Sequence, residues 1–222
     1  MPYRRTEKVV RRLVARRDAI LQAALGLAAE GGMAAVQITA VSERAGIAAG
    51  TVYRYFPSKT EMVAALISTV SDREMAAIRQ AAAAAPGPLS ALAATIITFA
   101  ARSLGQRRLA WAVLAEPVDA SVDPLRLAYR KALIAEIEKR VSGATAQRHL
   151  PEQDAGVVAP AIVGALLEGL VGPLAPAGAD DPAKQRELVQ MLTLIALRAC
   201  GVLDARARGL VVQAEMPQAR RS

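Results

Sequence analysis

Residues 38–66 read ITAVSERAGIAAGTVYRYFPSKTEMVAAL, and they carry the strongest structural signal in the chain. Two short helical segments, about 39–45 and 50–56, are separated by Gly46 and a three-residue link. Such a pair forms a helix-turn-helix, in which Ala45 must be small because the helices cross and Gly46 lets the backbone turn. In DNA-binding proteins the second helix of this motif lies in the major groove.

The flanking segments predict further helices. Upstream, apolar residues recur at helical spacing from about Leu13 to Glu30, and Gly31-Gly32 ends that helix. Downstream, Ser58-Lys59-Thr60-Glu61 matches a capping box and begins a long helix that runs toward Ala85. Later segments read as helices over about 89–104, 107–115, 124–141, 154–171 and 183–200. Runs of β-branched residues are short, so we predict an all-α protein.

The net charge of +8 is concentrated at the N-terminal end. Residues 1–62 hold 10 of the 28 Lys and Arg residues but only 5 of the 20 Asp and Glu residues. A localised basic end favours a polyanionic partner, of which nucleic acid is the commonest, although a solubilising tail would carry the same charge. Cys200 is the only cysteine and has apolar neighbours, which predicts a buried thiol in a reducing compartment. The N-terminal stretch lacks the uninterrupted apolar core of a signal peptide.

The motif resembles the DNA-binding segment of the TetR (tetracycline repressor) family of bacterial transcriptional regulators. The resemblance rests on Ala45-Gly46-Ile47, Gly50-Thr51-Val52-Tyr53 and Tyr55-Phe56-Pro57-Ser58-Lys59, followed by an apolar helix. It implies a cytoplasmic, nucleoid-associated homodimer that binds double-stranded operator DNA as a repressor. The implied effector is a small apolar molecule that changes operator affinity.

The same resemblance implies the domain organisation. An N-terminal three-helix helix-turn-helix domain is joined by a long helix to a larger C-terminal helical domain for ligand sensing and dimerisation. The expected segments are a basic arm at 1–13, the DNA-binding domain at 14–75, the ligand-binding and dimerisation domain at 76–203, and a mobile tail at 204–222.

Nine residues are predicted to contact DNA: Thr39, Ala48, Ala49, Gly50, Thr51, Tyr53, Arg54, Tyr55 and Lys59. Arg54 is suited to bind guanine O6 and N7. Lys59 lies in the first turn of the long helix, whose amino-terminal end attracts a phosphate. The hydroxyls of Tyr53 and Tyr55 are expected to reach the DNA, while Phe56 points inward; packing is the alternative role for the two tyrosines.

Two departures from the family pattern affect these expectations. Gln37 stands where the family often has a Ser or Thr cap, and Thr39 stands where it often has Arg, which puts one phosphate contact in doubt. Basic residues of the arm could compensate by entering the minor groove. These residues are Arg4, Arg5, Lys8, Arg11, Arg12, Arg16 and Arg17.

By resemblance, the C-terminal helices form a ligand pocket, and the last two pair with a second subunit as a four-helix bundle. The predicted dimer residues are Gly164, Glu168, Gly169, Leu188, Leu192 and Ile195, with intramolecular core as the alternative. The predicted ligand-binding residues are Phe99, Trp111, Glu116 and Tyr129. For Trp111 a core role fits equally well, and Glu116 is either a surface charge at a helix end or an anchor for a cationic ligand.

Enzyme chemistry finds little support in the residues. His149 is the only histidine, and we expect no catalytic residue, metal or cofactor. A helical lipid or drug carrier is the stronger rival, since it would use the same apolar core. Residues 157–175 are long enough to cross a bilayer, but two prolines and three glycines favour a buried helix, so no membrane partner is expected.

Overall fold

The computed structural model describes residues 3–117, 120–176 and 181–213. Within these ranges the chain forms α-helices and two 3-10 turns and no β-strand, which confirms the predicted all-α class. The helices are α1 (Tyr3–Gly31), α2 (Ile38–Arg44), α3 (Ala49–Tyr55), α4 (Lys59–Ala84), α5 (Pro88–Gly105), α6 (Arg107–Leu114), α7 (Asp123–Ala146), α8 (Ala155–Leu170), α9 (Pro182–Ala199) and α10 (Asp204–Gln213).

The N-terminal helices pack around a small apolar core. Ile20 and Ala24 of α1, Val41 of α2 and Val52 of α3 are each completely buried. Phe56 follows α3 and is only 2% exposed, so its ring joins the α2–α3 pair to the first turns of α4, as predicted. Burying apolar side chains of this size contributes about 1.5–3 kcal/mol each, which is enough to hold two seven-residue helices that would not form alone.

The larger C-terminal unit is organised around α5. This helix contacts α4, α7, α8, α9 and α10, and its apolar side chains are buried on nearly every side. By length and composition α5 could cross a membrane, but 67% of it is buried inside the protein, as in a core helix. The apolar segment discussed above forms α8, which has 16 residues and buries one face.

Two predicted boundaries are wrong. α1 begins at Tyr3 rather than near Leu13, so the described part of the arm is continuous helix. The tail is not entirely mobile, because residues 204–213 form α10, which buries Ala207 and Val211 against the core. The rest of the predicted tail, residues 214–222, lies outside the described residues.

Candidate nucleic-acid interface and ligand cavity

The turn between α2 and α3 has the geometry that the sequence predicts. Gly46 has a φ of 63°, which is a left-handed conformation that suits glycine. The amide of Gly46 donates to the Glu43 carbonyl at 3.1 Å and the amide of Ile47 to the Ser42 carbonyl at 3.0 Å, so α2 ends in a Schellman motif. Gln37 makes no side-chain cap for α2 and instead donates to the Ala34 carbonyl at 2.9 Å.

The recognition helix α3 presents a mixed surface to solvent. Tyr53 is 51% exposed, Arg54 is also exposed, and Gly50 has open space where a side chain would project. Tyr55 is half-buried against the core, so of the two tyrosines Tyr53 is the freer to reach a partner. The exposed backbone around Gly50 permits close approach to a DNA groove, and Arg54 supplies the forked donor.

The remaining predicted contacts surround α3. Thr39 and Ala48 are exposed, and Ala49, Thr51 and Lys59 are partly exposed. The Ser58 hydroxyl accepts a hydrogen bond from the Glu61 amide at 3.1 Å, so the predicted serine cap of α4 is present. Lys59 therefore lies in the first turn of a 26-residue helix, where the helix dipole adds to its positive charge.

The N-terminal part of α1 is exposed over residues 7–19. Its basic side chains include Lys8, Arg12 and Arg16, which are four residues apart and therefore share one helix face. Arg17 lies with its guanidinium carbon 4.9 Å from the centre of the Phe56 ring, which places this part of α1 beside the α3–α4 connection. Arg17 is exposed and also packs on the Phe56 ring.

The four predicted ligand residues are not brought together. Tyr129 lines a small cavity, of about 20 Å³, between α4, α5, α6 and α7. Phe99 is buried in the core and Trp111 is half-buried on α6, and neither lines this cavity. Glu116 contacts the DNA-binding domain instead, because the chain turns after α6 and brings its carboxylate to the Met33 amide at 3.0 Å.

The cavity combines apolar walls with the hydroxyl of Tyr129. Val70, Leu109, Val113 and Leu114 supply apolar surface. Tyr129 is 4% exposed, and its hydroxyl makes no hydrogen bond to any residue that the structure describes. Burial raises the pKa of Tyr129, so its hydroxyl stays protonated and can donate.

Charged residues that sequence reasoning missed form one wall of the cavity. Arg102 of α5 binds Glu74 of α4 through two nitrogens, one of them at 2.8 Å, and Arg73 lies 3.3 Å from the same carboxylate. The hydrogen bonds that Arg102 donates to the Glu74 carboxylate raise the pKa of Arg102. Arg73 and Glu74 are adjacent in the sequence. Nothing in the sequence indicates that Arg102, 28 residues from Glu74, would bind the same carboxylate.

An apolar groove runs between α8 and α9. It has a volume of about 240 Å³, and its described lining is entirely apolar, including Val157, Ala161, Leu192 and Ile195. Val157 and Ile195 are 65% and 48% exposed. An open apolar surface of this kind is typical of a protein contact.

The six predicted dimer residues lie on α8 and α9 and differ in exposure. Leu192 and Ile195 line the groove, Gly164 and Glu168 are exposed on α8, and Leu188 is half-buried. Gly169 packs within its own subunit, because a Cβ atom there would lie 3.0 Å from the Leu192 side chain. A substitution at Gly169 would therefore disturb the α8–α9 contact of a single subunit, which makes it unsuitable for testing a dimer.

The fold and the N-terminal site define a helix-turn-helix protein with a larger helical domain attached. The model of the family described as "Bacterial regulatory proteins, tetR family" matches residues 20–66. These residues include the C-terminal part of α1, all of α2 and α3, and the first turns of α4. Over these residues the chain is similar to the TetR family of bacterial regulators.

Two relatives of known function match a short part of the chain. The HTH-type transcriptional repressor KstR of Rhodococcus jostii is 56% identical over 50 residues, which are 22% of this chain and 24% of that protein. KstR of Mycolicibacterium smegmatis is 54% identical over 50 residues, with the same coverage. The chain thus spans about a quarter of the length of these curated relatives.

Solved structures resemble the fold over nearly the whole chain. RolR in complex with resorcinol is 19% identical with a TM-score of 0.65, covering 95% of this chain and 99% of that chain. The fatty acid degradation regulator FadR from Bacillus halodurans is 20% identical with a TM-score of 0.68, covering 80% and 94%. At these identities the likeness describes the fold alone.

Proposed function

We propose that the protein is a homodimeric transcriptional repressor that binds a two-fold symmetric DNA operator and responds to a small molecule. The observation that carries this proposal is the exposed surface of α3, with Tyr53 and Arg54 beside Lys59, in the segment that the family model matches. The expected DNA contacts are those nine residues predicted from the sequence, with Tyr53 favoured over the half-buried Tyr55.

The α1 extension adds a phosphate-binding surface to this interface. An α-helix is about 10–12 Å across, whereas the minor groove is about 6 Å wide, so the helical part of α1 cannot enter that groove as an extended arm would. Its face with Lys8, Arg12 and Arg16 instead suits the phosphate backbone beside the half-site. Its position next to Phe56 supports this role.

A second copy of the chain is the proposed occupant of the groove between α8 and α9. Each subunit would cover the exposed side chains of Val157 and Ile195 of the other. Two identical subunits related by a two-fold axis present two identical recognition helices, which favours an operator with two-fold symmetry.

The cavity beside Tyr129 is the proposed effector site. Most of its lining lies in the domain that the sequence assigns to ligand sensing, and it offers apolar walls with the hydroxyl of Tyr129 as a donor. RolR, which shares the fold, is described in complex with resorcinol, a small molecule with an apolar ring and hydroxyl groups. This supports an effector of mixed apolar and hydrogen-bonding character.

Selection of bound sequences from random double-stranded DNA by the purified protein tests the proposal. We expect a two-fold symmetric consensus, with affinity that falls steeply as the salt concentration rises. Recovery of single, asymmetric half-sites would contradict the dimeric mode. A lipid or drug carrier built on the same fold would select no sequence and show no salt-dependent affinity for DNA.

A further inference from the structure

A charged pair joins α6 to the end of α1. The Arg108 guanidinium donates to the Gly31 carbonyl at 3.1 Å and to the Glu116 carboxylate at 2.9 Å. The second carboxylate oxygen of Glu116 accepts from the Met33 amide at 3.0 Å. We call Arg108 and Glu116 the junction pair, because together they bind the backbone on both sides of Gly32, where α1 ends.

The local backbone is shaped to receive this pair. Gly32 has a φ of 72°, and a Cβ atom at this position would lie 1.9 Å from an Arg108 nitrogen and 2.6 Å from a Glu116 oxygen. On the other side, the amides of Ala115 and Glu116 both donate to the Trp111 carbonyl at 2.9 Å, which fixes the turn that carries Glu116. The Glu116 side chain is 13% exposed, so water competes little for its carboxylate.

α6 is itself fixed to the rest of the C-terminal unit. The buried Arg126 of α7 donates to the Ala112 carbonyl at 2.8 Å, which fixes α6 to α7. At its other end the junction pair holds α1, which packs directly against α2. Besides the continuous helix α4, the C-terminal unit is therefore linked to the helix-turn-helix by Arg108 of α6 and by Glu116 in the turn just after it.

We propose that Arg108 and Glu116 are positioning residues that set the spacing between the two DNA half-sites that a dimer accepts. This inference rests on the proposed binding of a two-fold symmetric operator. Dimer contacts on α8 and α9 fix the C-terminal units relative to each other. The junction pair then fixes each helix-turn-helix relative to its own C-terminal unit, and so fixes one recognition helix relative to the other.

The geometry of DNA makes spacing a sensitive measure of this stiffness. One extra base pair between the half-sites moves them about 3.4 Å apart and rotates one by about 35° relative to the other. A stiff dimer loses one half-site when this happens. A dimer whose junction is loosened can follow the displacement, and so it discriminates less between spacings while each helix-turn-helix still binds its half-site normally.

The test uses the full-length protein and the operator recovered by selection. Four duplexes are compared: the selected spacing, one base pair added, one removed, and an isolated half-site. The variants are Arg108→Ala, Glu116→Ala, the double variant and Arg108→Lys, which keeps the charge but not the forked donor. Arg107→Ala is the matched control, since this neighbouring arginine bonds only to carbonyls of the C-terminal unit among the described residues.

We expect the ratio of affinities between the selected and altered spacings to fall about tenfold in the junction variants. Affinity for the half-site should stay within about twofold of wild type. The double variant should match each single variant, because either removal breaks the same unit. Arg107→Ala should discriminate like the wild type.

Three outcomes are decisive. If the wild-type protein has no affinity for any operator, the proposed function itself is refuted, and this inference with it. Wild-type spacing discrimination that persists in all junction variants would overturn the inference. Equal losses of affinity for the operator and for the half-site would also overturn the inference, because they would mean that the pair only supports the fold of the DNA-binding domain. Arg108→Lys retains the positive charge, so it shows whether such losses arise merely because the alanine variants unfold.

Discussion

Ile195→Arg is expected to dissociate the proposed dimer. Ile195 is 48% exposed in the single subunit, so its exposed half would be covered by the second copy. Burial of half an isoleucine side chain contributes about 1 kcal/mol, and two-fold symmetry counts it twice. An arginine would also bring an unpaired charge into a groove whose described lining is apolar, which costs at least about 1 kcal/mol more. The total of about 3 kcal/mol corresponds to a dimer dissociation constant raised about 100-fold.

Sedimentation velocity over a range of concentrations measures this shift directly. Val212→Arg is the matched control, because Val212 is 78% exposed on α10 and does not line the groove. Circular dichroism should show the same helix content for both variants, since neither position is buried in the subunit. If Ile195→Arg sediments as the wild type does at every concentration, the dimer contact lies elsewhere and the reasoning from the groove fails.

Further substitutions test the DNA interface and the core. Lys59→Ala should weaken binding to all sequences and lower the salt slope by roughly 1, whereas Arg54→Ala should cost about 1–3 kcal/mol at one position per half-site; the exchange of these two phenotypes would reverse their assigned roles. Arg12→Ala with Arg16→Ala should lower the salt slope by roughly 2 and leave the selected sequence unchanged, and an unchanged slope would remove α1 from the interface. Burial raises the pKa of Cys200 from its ordinary 9.0 to about 11. The thiol should therefore resist iodoacetamide at pH 8 until the chain unfolds. The stability that this raised pKa represents is complete below pH 9 and is lost as the pH rises toward 11, so Cys200→Ala should flatten the pH dependence of unfolding in that window, and an equal slope in both proteins would argue against it.

Elements with local signals were predictable from the sequence. The α2–α3 turn needs a residue with positive φ, and Gly46 supplies it. α4 begins where Ser58 caps it, and α5 ends at Gly105, both within a residue of the predicted positions. In each case a single residue satisfies the conformational or hydrogen-bonding requirement of the backbone next to it. The position of the element can therefore be predicted without knowing its distant contacts.

Elements without a local signal were missed. Val9, Val10, Leu13 and Val14 remain about half-exposed in the first part of α1, so no buried face marks the helix there. In α10, Ala207 and Val211 are buried, but the arginines around Ala207 make the segment resemble a polar tail in the sequence. Helix formation in both depends on context rather than on periodicity.

The partners of Glu116 were not predictable from residue spacing. Its carboxylate meets the Met33 amide across 83 residues, and Arg108 meets the Gly31 carbonyl across 77. The one available signal was the Gly31-Gly32 pair, which we interpreted as a helix end. Gly32 does have the left-handed conformation of a helix end, but the absence of a side chain there also makes room for Arg108.

The short helix α6, which carries Arg108 and leads into Glu116, also closes the cavity. Leu109 and Val113 of α6 line it on one side, and Val70 and Glu74 of α4 line it on the other. Its volume of about 20 Å³ accommodates roughly one water molecule, so any larger molecule must displace one of the helices around it. Displacing α4 moves Phe56 and the recognition helix, whereas displacing α6 moves the junction pair and α1. Either movement alters the helix-turn-helix, and a molecule that favours one arrangement over the other by about 1–3 kcal/mol would change DNA affinity roughly 5–150-fold, with DNA changing the affinity for that molecule by the same factor.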